Sequence, residues 1–159
     1  MRIGLGYDVH ALAPGYPLVL AGATIPFNKG LVGHTDGDVL THALIDALLG
    51  AAAIGDIGQH FPSSDPRYKN MRSLLLLEET IHLIGTHWRI INVDATIIAE
   101  HPPLRPFIKD MRANLSEILQ LPITQVSIKA KTTDGLGFTG NSEGIAAEAV
   151  ALIQERIDE

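Results

Sequence analysis

The chain has no cysteine, few aromatics, a shortage of positive charge and no long apolar run. The first absence excludes disulfides and thiolate metal sites, so histidine and carboxylate are the ligands left to consider. It also suits a reducing compartment. Against 18 acidic residues stand only 12 basic ones, for a net charge of -6. That leaves no broad electropositive surface, so a nucleic-acid partner is not expected and any phosphate must be held locally. No segment approaches the ~20 apolar residues of a membrane span. The start, MRIGLGYDVHAL, lacks the apolar stretch of a signal peptide and the Arg/Ser-rich character of a transit leader. A cytoplasmic protein with no membrane partner is expected. The length, 159 residues, suits one domain spanning 1–159.

Residues 3–10 alternate as a strand does, with Ile3, Leu5, Tyr7 and Val9 on one side and Gly4, Gly6, Asp8 and His10 on the other. A second strand is expected over 18–27, with room for a turn at Ala21-Gly22. Residues 38–53 read as a helix ending near Gly55, and 55–70 as a long Gly/Pro/Ser/Asp-rich loop of the kind that is often functional. Leu74, Leu77, Ile81 and Ile84 make a helical stripe over 71–84. The β-branched run at 89–100 reads as a strand. Ile108, Met111, Leu115 and Ile118 mark another helix, and 124–133 alternates as a strand. The alanine-rich end, from a capping Ser142 onward, reads as a final helix. Interspersed strands and helices predict an α+β, two-layer fold, with a sheet covered by helices on one face. The other face would then need water or a partner subunit.

The segment HTDGDVLTHALIDALLG, residues 34–50, sets two histidines and three aspartates on an otherwise apolar helix. Asp36 or Asp38 serves as an ordinary N-cap. Asp8 and His10, two apart on a strand, share a face, and His42 on a facing helix can complete three ligands. One carboxylate and two imidazoles suit a zinc-like ion with its fourth position open, as at catalytic sites. Asp38 and Asp46 flank His42 by four residues, so either can accept its other ring N–H. The same residues are compatible with caps and partly buried histidines alone. His34 sits before the helix, where it can face an anion. His60, His82, His87 and His101 read as surface or loop residues.

A second stretch, KAKTTDGLGFTGNSEG at 129–144, contains Asp134-Gly135, a strong type I′ hairpin signal. It also reads as a phosphate cradle, in which Lys131, Thr132, Thr133 and glycine-exposed N–H groups meet an anion while Asp134 holds a hard cation. Taken alone the stretch favours the hairpin.

Read together, GYDVHAL, GHTDGDVLTHALIDALLGAAAIGDIGQHFP, VDATIIAEHPPLRP and IKAKTTDGLGFTGNSEGIAAEAVALI resemble the 2-C-methyl-D-erythritol 2,4-cyclodiphosphate synthases. The likeness runs from Met1 to about Ile153. It implies a mixed β-sheet and a homotrimer, its sheets packed about a threefold axis and its active sites between subunits. The implied reaction is that of a phosphorus–oxygen lyase. The 2-phosphate of 4-diphosphocytidyl-2-C-methyl-D-erythritol 2-phosphate attacks the β-phosphorus, closes a cyclic diphosphate and expels CMP.

By the same resemblance Asp8, His10 and His42 hold one zinc ion per subunit. A magnesium or manganese ion bridges the substrate diphosphate at Asp134, where the family has glutamate. His34 and Thr132 match the residues that donate hydrogen bonds to the charge of the transition state. Asp8, Val9, His10, His34 and Thr35 line the substrate, Asp56, Ile57 and Gly58 meet the ribose, and Phe61, Pro62, Ser63, Ser64 and Asp65 form a lid. Ala99, Pro102, Pro103, Leu104 and Arg105 make the cytosine pocket, and Lys131, Thr132, Thr133, Asp134 and Phe138 complete the phosphate side. Ser63 stands where an acid is common, and Pro103 stands for a lysine. Leu5 and Asn141 replace the histidine and arginine of the family's axial channel while Glu143 is kept, so weak binding of isoprenoid diphosphates there is expected. Two rival readings use the same ligands: a single-zinc phosphoesterase and a non-catalytic metal- or nucleotide-binding trimer.

Overall fold

Strand β1 (Arg2–Ala13) realises the alternation of the first residues, and its buried side is the one bearing the glycines. In the computed structural model, which describes residues 1–157, Gly4 and Gly6 are buried beneath helix α1 (Val39–Ala51), with Asp8 and His10 half-buried on the same face. Ile3, Leu5, Tyr7 and Val9 point the other way, 72, 68, 54 and 38% exposed. The contact is tight. A Cβ on Gly6 would stand 1.7 Å from the Ala43 carbonyl oxygen, and one on Gly4 would stand 1.9 Å from that of Ala47. Only glycine lets helix and strand approach so closely.

The short strands β2 (Val19–Leu20) and β3 (Ala23–Thr24) form a hairpin within the expected second strand. Its turn is Ala21-Gly22, both at positive φ, 46 and 72°. Strand β4 (Gly30–Leu31) pairs with the end of β1. Helix α1 follows, capped by Asp38, whose carboxylate accepts from the Thr41 N–H at 3.0 Å and the Thr41 hydroxyl at 2.8 Å. It also accepts from the Ala21 and Gly22 amides at 3.0 and 2.9 Å, so one buried carboxylate ties the helix start to the hairpin turn. Burial and the neighbouring Asp36 charge push its pKa up, against those four bonds.

The long loop holds helix α2 (Ile57–His60) and a single 3₁₀ turn at Pro66–Tyr68. Helix α3 (Ser73–Gly85) buries Leu74, Leu77 and Ile84 of the expected stripe, along with Leu76 and Thr80. Strand β5 (Trp88–Ile98), helix α4 (Ile108–Leu119) and strand β6 (Val126–Lys131) fall where the pattern puts them.

Two expectations fail in the last third. Residues 129–144 do not make a hairpin, although Asp134 and Gly135 do turn at positive φ, 53 and 79°. The chain passes instead through the short helix α5 (Gly137–Gly140), and β6 pairs with β5. The alanine-rich end is strand β7 (Gly144–Glu155), not a helix. Ala147, Ala149 and Ala151 alternate inward as small residues on which α1 can rest, and β7 is hydrogen-bonded on both sides, to β1 and β5. Helix propensity loses there to central-strand pairing. Asp158 and Glu159, the end of the expected domain and of that expected helix, lie outside the described residues.

The main sheet therefore runs β4-β1-β7-β5-β6, mixed, with β5 and β6 parallel and the other pairs antiparallel. The helices pack on one face, as expected. On the other, Ile3 faces Leu152 and Leu5 faces Val150 in an open apolar surface. No helix among the described residues is long and apolar enough to cross a membrane.

Gly6→Ala is predicted to drive α1 off the sheet and destabilise the fold by about 3 kcal/mol, the upper end for overpacking. Gly50→Ala, on α1 where an added Cβ meets nothing within 4 Å, should stabilise by up to about 1 kcal/mol. Denaturant melts of the two variants measure both. Equal midpoints would refute the close-contact argument.

Candidate metal centre

Asp8 and His10 face α1 from neighbouring inward positions of β1, and His42 sits in the first turn of that helix. The His10 Nε2 lies 2.9 Å from Asp8 Oδ2 and 3.1 Å from His42 Nδ1, and His42 Nδ1 lies 3.2 Å from Asp8 Oδ2. Ligands around a tetrahedral ion at ~2.0 Å are spaced by roughly 3.3 Å. The triangle is nearly that size already.

Its chemistry is that of converging lone pairs. The Nδ1 of His10 lies 2.6 Å from the Val32 carbonyl, which can only accept, so Nδ1 carries a proton and in the neutral ring Nε2 is the lone pair. His42 directs its Nε2 away from the triangle, 2.8 Å from the Ser73 hydroxyl and 3.1 Å from that of Thr35. Burial pushes the Asp8 pKa up, but hydrogen bonds to His10 and His42 and the charges of both hold it far below the usual carboxylate range. Burial lowers that of His10, yet its bonds to Asp8 and Val32 raise it overall above the usual imidazole range. No other such trio stands among the described residues.

The helix-face neighbours of His42 have other work. Asp38 caps α1, and Asp46 accepts the Ile57 N–H at 2.7 Å, pinning α2 to α1, so neither aspartate accepts the second ring N–H. This corrects the expectation from spacing. A residue missed from sequence, Ser73, does so, because the contact spans 31 positions and no local pattern signals it.

A cavity of about 210 Å³ is lined by His10 and His42 of the trio together with His34, Thr35, Ile57, Gly58, Phe61, Ser63 and Leu76. The His34 Nε2 donates to the Asp65 carbonyl at 3.0 Å, which ties its ring to the loop carrying Pro62, Ser63 and Ser64. Asp56 caps α2 through the Gln59 N–H. Val9 turns its side chain to the opposite sheet face. A second cavity, about 190 Å³, is lined by Ala99, Glu100, Pro102, Pro103, Leu104, Arg105, Ala130, Lys131 and Thr132. The two share no lining residue. Glu100, also missed, accepts the Thr133 N–H at 3.3 Å. Asp134 is exposed and accepts from the Thr132 hydroxyl at 3.3 Å, and Phe138 is 40% exposed on α5. Among the other histidines, His82, His87 and His101 are exposed, and His60 is half-buried with its Nε2 donating to the Ile54 carbonyl.

Residues 1–154 match the YgbB family. A 2-C-methyl-D-erythritol 2,4-cyclodiphosphate synthase of Syntrophomonas wolfei is 56% identical over 98% of this chain and 99% of its own. Two solved structures superpose closely. The bifunctional IspDF of Campylobacter jejuni has a TM-score of 0.93 at 39% identity over 99% of this chain, which spans 42% of that longer one. The CDP complex of IspF from Plasmodium falciparum has a TM-score of 0.86 at 32% identity, over 98% of this chain and 97% of its own.

Binding of a divalent cation to the trio is predicted to weaken as pH falls, because the cation competes with a proton for His10, whose pKa is raised by its bonds to Asp8 and Val32. Below that pKa the apparent affinity should drop about tenfold per pH unit, and above it level off. Chelator competition across the weakly acidic range measures the slope. A flat profile there would be incompatible with this ligand set.

Proposed function

The chain belongs to the YgbB family, that of the 2-C-methyl-D-erythritol 2,4-cyclodiphosphate synthases, and on that premise we propose how its own residues carry out the cyclisation. The observation that carries the reading is the convergence of Asp8, His10 and His42, with both histidines lining a cavity. The substrate is 4-diphosphocytidyl-2-C-methyl-D-erythritol 2-phosphate, and the products are the 2,4-cyclodiphosphate and CMP. An oxygen of the 2-phosphate forms a bond to the β-phosphorus while the bond from that phosphorus to the bridging oxygen of CMP breaks. The nucleophile is already an anion and CMP leaves as one, so no general base is required and no water is consumed.

Catalysis then rests on positioning and on neutralising phosphate charge. Asp8, His10 and His42 would hold zinc, which supplies Lewis-acid stabilisation to a phosphate oxygen. Asp134 would hold a magnesium or manganese ion through its carboxylate, and the ion would neutralise charge on the substrate's diphosphate. His34 and Thr132 donate hydrogen bonds to the developing charge, and Lys131 and the amides around Thr133 add to that side. Asp56, Ile57 and Gly58 meet the ribose. The Ala99 to Arg105 segment reads the cytosine, with Pro103 giving a shape contact but neither charge nor N–H. Phe61 to Asp65 close over the erythritol phosphate. A highly charged substrate keeps the reaction in an aqueous compartment, and the cytoplasm is the one proposed.

A homotrimer with its sites between subunits accounts for two features. The sheet face bearing Ile3, Leu5, Tyr7, Val150 and Leu152 is apolar and open. Within one chain, the row Val9, Ala146, Ile98, Lys131 sets the histidine cavity and the cytosine cavity three strands apart. That is roughly 14 Å at ~4.8 Å per strand, and a neighbouring subunit can bring the two halves together.

Given the cytidine substrate, the protein should release CMP and the cyclic diphosphate. A linear hydrolysis product would indicate the phosphoesterase, and no product a binding protein. His42→Ala should lose zinc and activity, whereas His34→Ala should keep zinc and lose rate. Sedimentation should give three times the chain mass, and Leu5→Asp should dissociate the assembly. A fully active monomer would disprove the shared site.

A further inference from the structure

The geometry points to Ser73 and Asp36 as a positioning pair that fixes the tautomer of His42 and thereby aims its Nδ1 lone pair at the metal. The inference rests on the reading of Asp8, His10 and His42 as a zinc centre. Ser73 opens α3, where the preceding Arg72 gives no capping bond, so its N–H would otherwise be free. Asp36, from the far side of the loop, fills that role. Its Oδ2 accepts the Ser73 N–H at 2.9 Å and its Oδ1 accepts the Ser73 hydroxyl at 2.5 Å. The carboxylate is steadied by the Asp38 N–H at 3.1 Å and by the positive end of α3.

The direction of every proton in this chain of contacts follows. A carboxylate can only accept, and a hydroxyl has one proton to give. The Ser73 proton is spent on Asp36, so towards His42 its oxygen can only accept. The His42 Nε2, 2.8 Å away, must therefore carry the proton of the neutral ring, whose Nδ1 lone pair then faces Asp8 and His10. Ser73 is fully buried, so water does not compete for the contact. Thr35 Oγ1 lies farther from the same Nε2, at 3.1 Å, and is a weaker second acceptor.

The pair has a consequence besides metal affinity. Ser73 is the first helical residue after the lid, and the amides of Asn70 and Asp36 bond the His34 and Met71 carbonyls, at 2.8 and 3.1 Å. The element that ends the lid is thus the one that orients a metal ligand.

The test reads the proton directly. In wild-type, zinc-free protein at a pH above the histidine range, the imidazole nitrogen shifts of His42 should report Nε2–H. Asp36→Ala removes the acceptor of the Ser73 hydroxyl proton and frees it to donate to His42, so the ring should lose its preference for Nε2–H. Ser73→Ala should weaken zinc binding about 10- to 100-fold in chelator competition. Ser73→Thr, which keeps the hydroxyl, should restore it to within a few-fold. A wild-type His42 protonated on Nδ1 would overturn the inference, as would unchanged zinc affinity in Ser73→Ala. The wild-type spectrum requires no variant to fold. Should zinc behave as stated while cyclisation fails, only the functional reading falls.

Discussion

Everything chemical in this molecule depends on how closely α1 lies against β1. Carbonyl oxygens of Ala43 and Ala47 occupy the space where side chains of residues 6 and 4 would be. At a separation wide enough for side chains at residues 4 and 6, the imidazole of His42 would stand farther from the strand. With glycine at both positions, its Nδ1 comes to 3.2 Å from Asp8 Oδ2. The inward alanines of β7 serve the same end beneath the same helix. Small residues on the sheet are therefore part of the metal centre, although none of them touches it.

The charge at the start of α1 is divided among residues with different partners. Asp38 is buried and saturated by four donors, two from its own helix and two from the β2–β3 turn. Asp36 reaches across to α3, and only His42 is left to face the strand. A buried carboxylate costs several kcal/mol unless its acceptors are filled. Filling them with donors from two separate segments fixes those segments relative to one another. Capping and chemistry are coupled here: the bonds that satisfy the caps also set the frame in which His42 meets Asp8 and His10.

Most of the architecture was legible in the sequence because its periodicities are strong. The alternation in β1 and β6 and the apolar stripes of α3 and α4 all survive folding. The failures share a cause. From Gly144 onward, alanine is chosen for its size beneath α1 rather than for its helix propensity, and that choice cannot be seen without knowing what packs above it. Asp134-Gly135 turns as its chemistry demands, but a turn does not decide which strand comes next to which. The metal trio was legible because two of its members are neighbours on one strand. Ser73 was not, since its partners Asp36 and His42 lie 37 and 31 residues away.

The loop from Phe61 to Arg72 shows how the centre and its cover can be joined without being rigidly coupled. Its end nearest α3 is held by backbone bonds to residues 34–36, and the Ser73 side chain continues that anchor to His42. Its middle is held by one bond from the His34 ring to the Asp65 carbonyl and by the exposed Asp65–Arg67 pair, whose contribution in solvent is small. Ser63 and Ser64 are exposed at the tip. The tip is thus tied to the rest of the fold by fewer hydrogen bonds than the end that reaches His42. The His34 ring sits at the boundary between the two. Its Nε2 donates to the Asp65 carbonyl and the residue's own carbonyl accepts the Asn70 N–H, so one residue is bonded to the loop at two points.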